Sequence, residues 1–270
     1  MIHLATIRLN KPDDEEEGER FPFSVPIIAS LEQLDFTAEV TFLVGENGSG
    51  KSTLLEAIAY AAGLPVVGSE SVEKDKTLTA IRPLARSLKL AWAKRTRRGF
   101  FMRTEDFFGF SKQLTGIREE YEADLARLDR EMEGRSTTAR NLARSPYLKE
   151  LHDMKQRYGE DLGARSHGES YFKVFQSRFV PEGLYMLDEP EAPLSPLRQL
   201  SFITMLKEMV LEKGAQFIIA THSPILMAFP NAAIYNFDGD SVRRIAYEDV
   251  EHVRITRDFL NNPQQFLKHL

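Results

Sequence analysis

An α/β fold with a mostly parallel core sheet is predicted by three features of the sequence. The apolar run EVTFLV (residues 39–44) meets a glycine cluster and then a good helix, STLLEAIAYAAG, ending at Gly63. Three later runs, GLYMLD (183–188), AQFIIA (215–220) and AAIYNF (232–237), are short, apolar and bounded by polar turns, as strands buried on both faces should be. Between the first two of these lies PLRQLSFITMLKEMVLEKG, with Ser195 as an N-cap, Pro196 at the first helical position and Gly214 past the end. Strand, helix and strand then form a βαβ unit.

Around this core the chain is less regular. The N-terminal segment is expected to form an antiparallel β part, with the acidic run DDEEE (13–17) as a solvated loop between two strands. Residues 111–165 are charged and helix-prone, and Tyr121, Leu125, Leu128 and Met132 step at helical spacing. That stripe is too short for a coiled coil of three or four heptads, so the segment is expected to be a helical lobe inserted in one domain spanning 1–270. From Lys76 to Arg103 there are nine basic residues and no acidic one, with Trp92, Phe100 and Phe101 interleaved. This could bind nucleic acid. The competing reading is a twisted hairpin in which Leu88, Leu90 and Trp92 point inward and KRTRR is a solvated turn.

Composition bounds the function. With 270 residues, 42% hydrophobic, a sizeable core is possible, and a net charge of −5 argues against a globally basic nucleic-acid coat. The absence of cysteine removes disulfides, thiol nucleophiles and thiolate zinc sites, and is compatible with a cytoplasmic location. No secretory signal is visible at the N-terminus. The longest run free of charged residues, Gly214–Phe237, is interrupted by THSP, Pro230 and Asn231, so no membrane insertion is expected.

The chemistry is carried by motifs at strand ends. GENGSGKST, comprising Gly45, Glu46, Asn47, Gly48, Ser49, Gly50, Lys51, Ser52 and Thr53, fits G-x-x-x-x-G-K-[ST] between a strand and a helix. Its glycines let backbone amides wrap a polyphosphate, Lys51 can reach the β and γ phosphates, and Ser52 offers a hydroxyl to magnesium. LYMLDEPEAPLSP delivers Asp188 and Glu189 together, with Asp188 suited to hold the metal and Glu189 to orient or deprotonate a water. A third strand ends in IIATHSP, which places His222 at the same edge as a γ-phosphate sensor.

Taken in order, a phosphate loop, SHGE 22 residues before Asp188, DEPE and a strand ending in Thr-His resemble the ATP-binding cassette (ABC) ATPases. RSHGES (165–170) is similar to their signature segment, with Ser166, Gly168 and Glu169 at its serine, second glycine and glutamine and His167 replacing its first glycine. The resemblance implies ATP and Mg²⁺ as cofactors and a head-to-tail, ATP-dependent homodimer in which the signature completes a partner's ATP site. It also implies ATP hydrolysis, with Glu189 as base and His222 assisting. GEN and DEPEAPLSP look more like the soluble, stand-alone ATPases related to chromosome-maintenance and break-repair proteins than like transporter ATPases. The family's glutamine between core and lobe has its nearest counterpart in Glu105, a candidate metal contact, and its adenine contact is unassigned, with Arg8, Arg20 and Phe21 as candidates. The alternatives are a transporter's detached nucleotide-binding subunit and a weakly hydrolysing, ATP-switched module for an unknown protein partner.

Overall fold

A computed structural model of the chain describes residues 1–12, 15–67, 76–158, 172 and 175–268. They form two compact units, one of Met1–Thr104 with Val180–Leu270, the other of Glu105–Phe179.

The first unit holds two sheets. In the smaller, antiparallel one, β1 (Leu4–Leu9) lies between β2 (Gln33–Asp35) and β4 (Leu88–Trp92). The larger contains β3 (Val40–Val44), β5 (Gly99–Arg103), β6 (Leu184–Asp188), β7 (Gln216–Ala220), β8 (Ala233–Asn236) and β9 (Arg243–Ile245), in the order β5-β6-β7-β3-β8-β9. Every neighbouring pair is parallel except β8 with β9. All five residues of β3 and of β7 are buried, the consequence of covering both faces of a parallel sheet. Phe42, Phe101, Tyr185, Phe217 and Phe237 are fully buried here, each such side chain contributing on the order of 1.5–3 kcal/mol.

Register places the functional edge. Asp188 on β6 is opposite Ala220 on β7, Ala220 is opposite Leu43 on β3, and Val44 is opposite Asn236 on β8. Four parallel strands therefore end level with one another, and the segments that follow them meet at one rim, where open α/β sheets build their sites.

A buried glutamine joins the two sheets. Gln216 Oε1, at the start of β7, accepts from the backbone N–H of both His3 and Leu4 at 2.8 Å, and its Nε2 donates to Leu4 O at 2.9 Å. It satisfies backbone groups of His3 and of Leu4 at the start of β1 and ties them to the larger sheet.

Two expectations are corrected. The stretch around KRTRR is not a hairpin: β4 pairs with β1 and β5 with β6, so residues 93–98 carry the chain from one sheet to the other. The inward alternation of β4 is present, with Leu88 buried and Lys89 and Ala91 exposed. Gly99 makes the crossing possible, because its φ is +119° and a Cβ there would stand 1.8 Å from Leu184 O. The acidic N-terminal run also contains one helical turn, Glu15–Gly18, rather than loop alone.

The second unit contains the helix Thr104–Glu131, which begins at the last residue of the first unit, and the helix Thr137–Tyr158. Tyr121, Leu125, Leu128 and Met132 are half-buried. Tyr121 meets Tyr147 edge-on at 6.2 Å, and Arg144 pairs with Asp129 at 3.6 Å, so the two helices pack side by side.

Candidate nucleotide site

The loop GENGSGKST leaves β3 and enters the helix Lys51–Ala62, which Gly50 opens and Gly63 closes, both in the left-handed region. Lys51 is buried, and its Nζ donates to Gly45 O at 2.7 Å and Glu46 O at 2.8 Å, with Ser49 Oγ at 3.4 Å. The ammonium thus spans the mouth of its own loop. Burial lowers its pKa from the usual lysine value, opposed by the charges of Asp188, Asp238, Glu189 and Glu46. Asp238, just past β8, pins the loop from the other side: its Oδ1 accepts from Glu46 N–H at 2.7 Å. Gly45 is required there, since a Cβ would lie 2.8 Å from that oxygen.

Next to Lys51, Ser52 Oγ donates to Asp188 Oδ1 at 3.1 Å. Burial pushes the Asp188 carboxyl up to about 7; the Ser52 hydrogen bond opposes this, the charges of Glu189 and Glu56 add to it, and Lys51 opposes it. A buried carboxylate beside a hydroxyl, with oxygen donors only, suits a hard divalent cation such as Mg²⁺. Among the described residues no group of three or more His, Asp or Glu is disposed to hold a metal.

Glu189 has φ +49°, uncommon for a side-chain-bearing residue. Its N–H donates to Ala220 O at 2.9 Å, and the Thr104 hydroxyl lies 2.5 Å from its carbonyl oxygen and 3.2 Å from that of Asp188. The backbone is therefore held on both sides in a conformation it would not choose alone. The bend turns the Glu189 side chain off the line of β6, and its Oε1 lies 3.7 Å from His222 Nε2.

His222 follows β7 and is fixed through its own backbone, whose N–H donates to Glu191 Oε1 at 2.7 Å. Burial raises the pKa of Glu191, opposed by hydrogen bonds from Thr221, its own backbone and His222, while Glu189's charge adds to the rise. The His222 ring meets His252, with Nδ1 3.0 Å from His252 Nε2. Its pKa is lowered by burial first, then by Lys51 and His252, against Glu189 and Glu46.

The structure brings Lys51, Ser52, Asp188, Glu189 and His222 to one rim. Glu46, Asn47 and Gly48 are exposed there, with Ser49 and Thr53 half-buried. Glu105 is exposed in the first turn of the helix that leads into the second unit, and the hydroxyl of Thr104 bonds the carbonyl oxygens of Asp188 and Glu189. Ser166, Gly168 and Glu169 lie outside the described residues. Arg8 bonds Gln33, Arg20 pairs with Glu16, and Phe21 is 54% exposed. In the basic stretch Lys94 pairs with Glu182 at 2.5 Å, Arg98 donates to Pro181 O, and Arg95 and Arg97 are exposed. Sequence reasoning missed Thr104, Glu191, Asp238 and His252. Glu191 alone had a local signal, as the second glutamate of DEPE.

Residues 40–170 match the family described as "AAA domain, putative AbiEii toxin, Type IV TA system". Among curated proteins, none matches the chain. Solved structures of similar path include the Smc head domain with an extended coiled coil bound to the C-terminal domain of ScpA, from Pyrococcus furiosus, at 12% identity, covering 96% of this chain and 100% of that one, with a TM-score of 0.46. CbiO1 from Clostridium perfringens, part of the ABC transporter complex cbiONQ, has 17% identity over 100% of both chains and a TM-score of 0.46. The SMC head domain from Thermotoga maritima has 15% identity over 90% of this chain and 98% of that one, with a TM-score of 0.42.

Proposed function

We propose that this chain, an ABC-type ATPase, binds ATP with Mg²⁺, hydrolyses it, and uses ATP-dependent homodimerisation as a mechanical or regulatory switch. The observation that carries the reading is the meeting of Lys51, Ser52, Asp188, Glu189 and His222 at the level ends of β3, β6 and β7. In it the loop amides of residues 45–53 cradle the polyphosphate and Lys51 exchanges its carbonyl partners for phosphate oxygens. Ser52 and Asp188 would hold Mg²⁺, and Glu105 is a further candidate. The ion would neutralise phosphate charge. Glu189 takes the proton of the attacking water, and His222 donates to the γ-phosphate.

The finer parts rest on the sequence resemblance. Ser166, Gly168 and Glu169 would complete the partner's site, as a helix N-terminus offers amides to an anion. A nucleic acid remains the candidate partner of the stretch 76–103, through its exposed Arg95 and Arg97. Among the described residues no helix is long and apolar enough to cross a membrane. A cytoplasmic location is part of the same proposal.

Steady-state ATPase measurement with Mg²⁺, with and without DNA or RNA, tests the reading. Turnover abolished by Glu189→Gln supports hydrolysis at this site. Tight ATP binding without turnover favours a switch that barely hydrolyses. Stimulation by DNA or RNA that disappears when Lys94, Arg95, Arg97 and Arg98 are replaced by Ala supports the basic stretch, and no binding at low salt removes it.

A further inference from the structure

His252 lies in the first turn of the helix Glu251–Asn261, thirty residues beyond His222 and outside every motif of the sequence. Its Nε2 is 3.0 Å from His222 Nδ1, and the rings meet at 4.8 Å with an interplanar angle of 61°. Two neutral imidazoles at this distance share one proton, so one nitrogen donates and the other accepts. Two carboxylates decide which. Glu189 Oε1 is 3.7 Å from the far nitrogen of His222, Nε2, and Glu46 Oε1 is 3.7 Å from His252 Nε2. If His222 Nδ1 held the shared proton, the lone pairs of His222 Nε2 and His252 Nε2 would each face a carboxylate. With the proton on His252 Nε2, His222 carries its own proton on Nε2 and presents that N–H to Glu189, and Glu46 lies beside a nitrogen that bears hydrogen.

We propose that His252 is a positioning residue of the nucleotide site, which donates its Nε2–H to His222 Nδ1 and thereby keeps the His222 proton on Nε2, facing Glu189 and the place of the γ-phosphate. The catalytic part of this rests on the ATPase reading above, while the tautomer does not. Among the described residues the buried His222 Nε2 has no hydrogen-bond partner, as expected of a donor kept for a ligand. Burial, Lys51 and His252 all disfavour the imidazolium form of His222, so tautomer choice is the relevant variable. Glu191 fixes the His222 backbone and His252 fixes its ring, two restraints from different parts of the chain.

The test is long-range ¹H–¹⁵N correlation of the histidine rings in the full, nucleotide-free chain, with His222 assigned by its loss in His222→Gln, followed by ATPase kinetics. The parent should show His222 neutral and protonated on Nε2. In His252→Ala that pattern should give way to mixed tautomers, and kcat should fall roughly tenfold, the low end for lost orienting partners of functional histidines, with KM for ATP within about twofold. His252→Gln, whose amide N–H can donate in place of the imidazole, should restore much of both. A parent His222 protonated on Nδ1 overturns the proposal. So does an unchanged ring signal in a folded His252→Ala, whatever its kcat. If the parent hydrolyses no ATP, the ATPase reading fails, and the ring nitrogens still decide the role of His252.

Discussion

The hydroxyl of Ser52 donates to Asp188 Oδ1 at 3.1 Å, joining the phosphate loop to the acidic strand end across 136 positions of sequence. The two oxygens satisfy each other, and Mg²⁺ held here would draw on both. Asp188→Asn should therefore bind ATP in chelator much as the parent does and lose most of the affinity that added Mg²⁺ confers, roughly tenfold or more. Calorimetry of ATP binding with and without Mg²⁺ reads this. An intact magnesium gain in the variant removes Asp188 from the metal site.

Lys51 holds two loop carbonyls at 2.7 and 2.8 Å, and a bound polyphosphate would offer its ammonium charged partners instead. Hydrogen bonds to charged groups contribute about 1.5–3 kcal/mol each, so Lys51→Ala should weaken ATP binding about ten- to a hundredfold. Unchanged affinity by calorimetry would sink the phosphate-loop assignment.

Glu189 is the acid whose backbone is held at positive φ and whose carboxylate faces His222. Glu189→Gln keeps shape and hydrogen bonding and loses basicity. ATP binding should persist while turnover falls about a hundredfold or more. Hydrolysis at the parent rate would assign the base to another residue.

The parts legible in the sequence are those encoded by neighbours in the chain. GENGSGKST announces its loop because turn, lysine and helix start are contiguous, and the buried parallel strands announce themselves as apolar runs. Asp188, Glu189 and His222 were found because strand ends in such a sheet share a rim. Contacts that depend on register or on a distant return of the chain carry no such signal. Asp238 reaches Glu46 across 192 positions and Gln216 reaches His3 across 213, and each looks like an ordinary polar residue in its own segment. The hairpin expected around KRTRR failed for a related reason. Alternation in β4 was visible, but the parallel pairing of β5 with β6 depends on Leu184, far along the chain. Gly99, whose missing Cβ admits the Leu184 carbonyl, was the one local hint.

Tyr185 makes a testable point about the core of β6. Its hydroxyl donates to Val180 O and accepts from Val180 N–H, both at 2.7 Å, and its ring stacks on Phe217 at 5.1 Å. Burial raises its pKa from 10.0 to about 12, against the Val180 hydrogen bond and Arg98. Tyr185→Phe orphans the Val180 groups and should cost about 1–3 kcal/mol at neutral pH. The folded pKa is the higher one, so this stabilisation is fully present below pH 10 and is lost as the pH rises through about 12. Denaturant melts should show the gap between parent and variant narrowing over that window. A gap that stays constant from neutral pH through about 12 would mean the phenol proton is not linked to folding.

The segment RSHGES separates an ATP site completed in trans from an ordinary helix start, since Ser166 can also serve as a simple N-cap. If Ser166 serves a partner's ATP, Ser166→Arg places bulk and a misplaced cation at the dimer interface and leaves the variant's own phosphate loop intact, so ATP binding should be unchanged. Glu189→Gln, able to bind and slow to hydrolyse, should accumulate as an ATP-dependent dimer by light scattering. The double variant carrying Ser166→Arg should remain monomeric while loaded with ATP. Mixing Ser166→Arg with Lys51→Ala subunits should recover part of the turnover, because one site of the mixed dimer joins an intact loop to an intact signature, provided that a single site can fire alone. Dimerisation is the more secure readout, since it requires no turnover. A double variant that dimerises as well as Glu189→Gln alone returns Ser166 to the role of a helix cap and removes the trans site from the proposal.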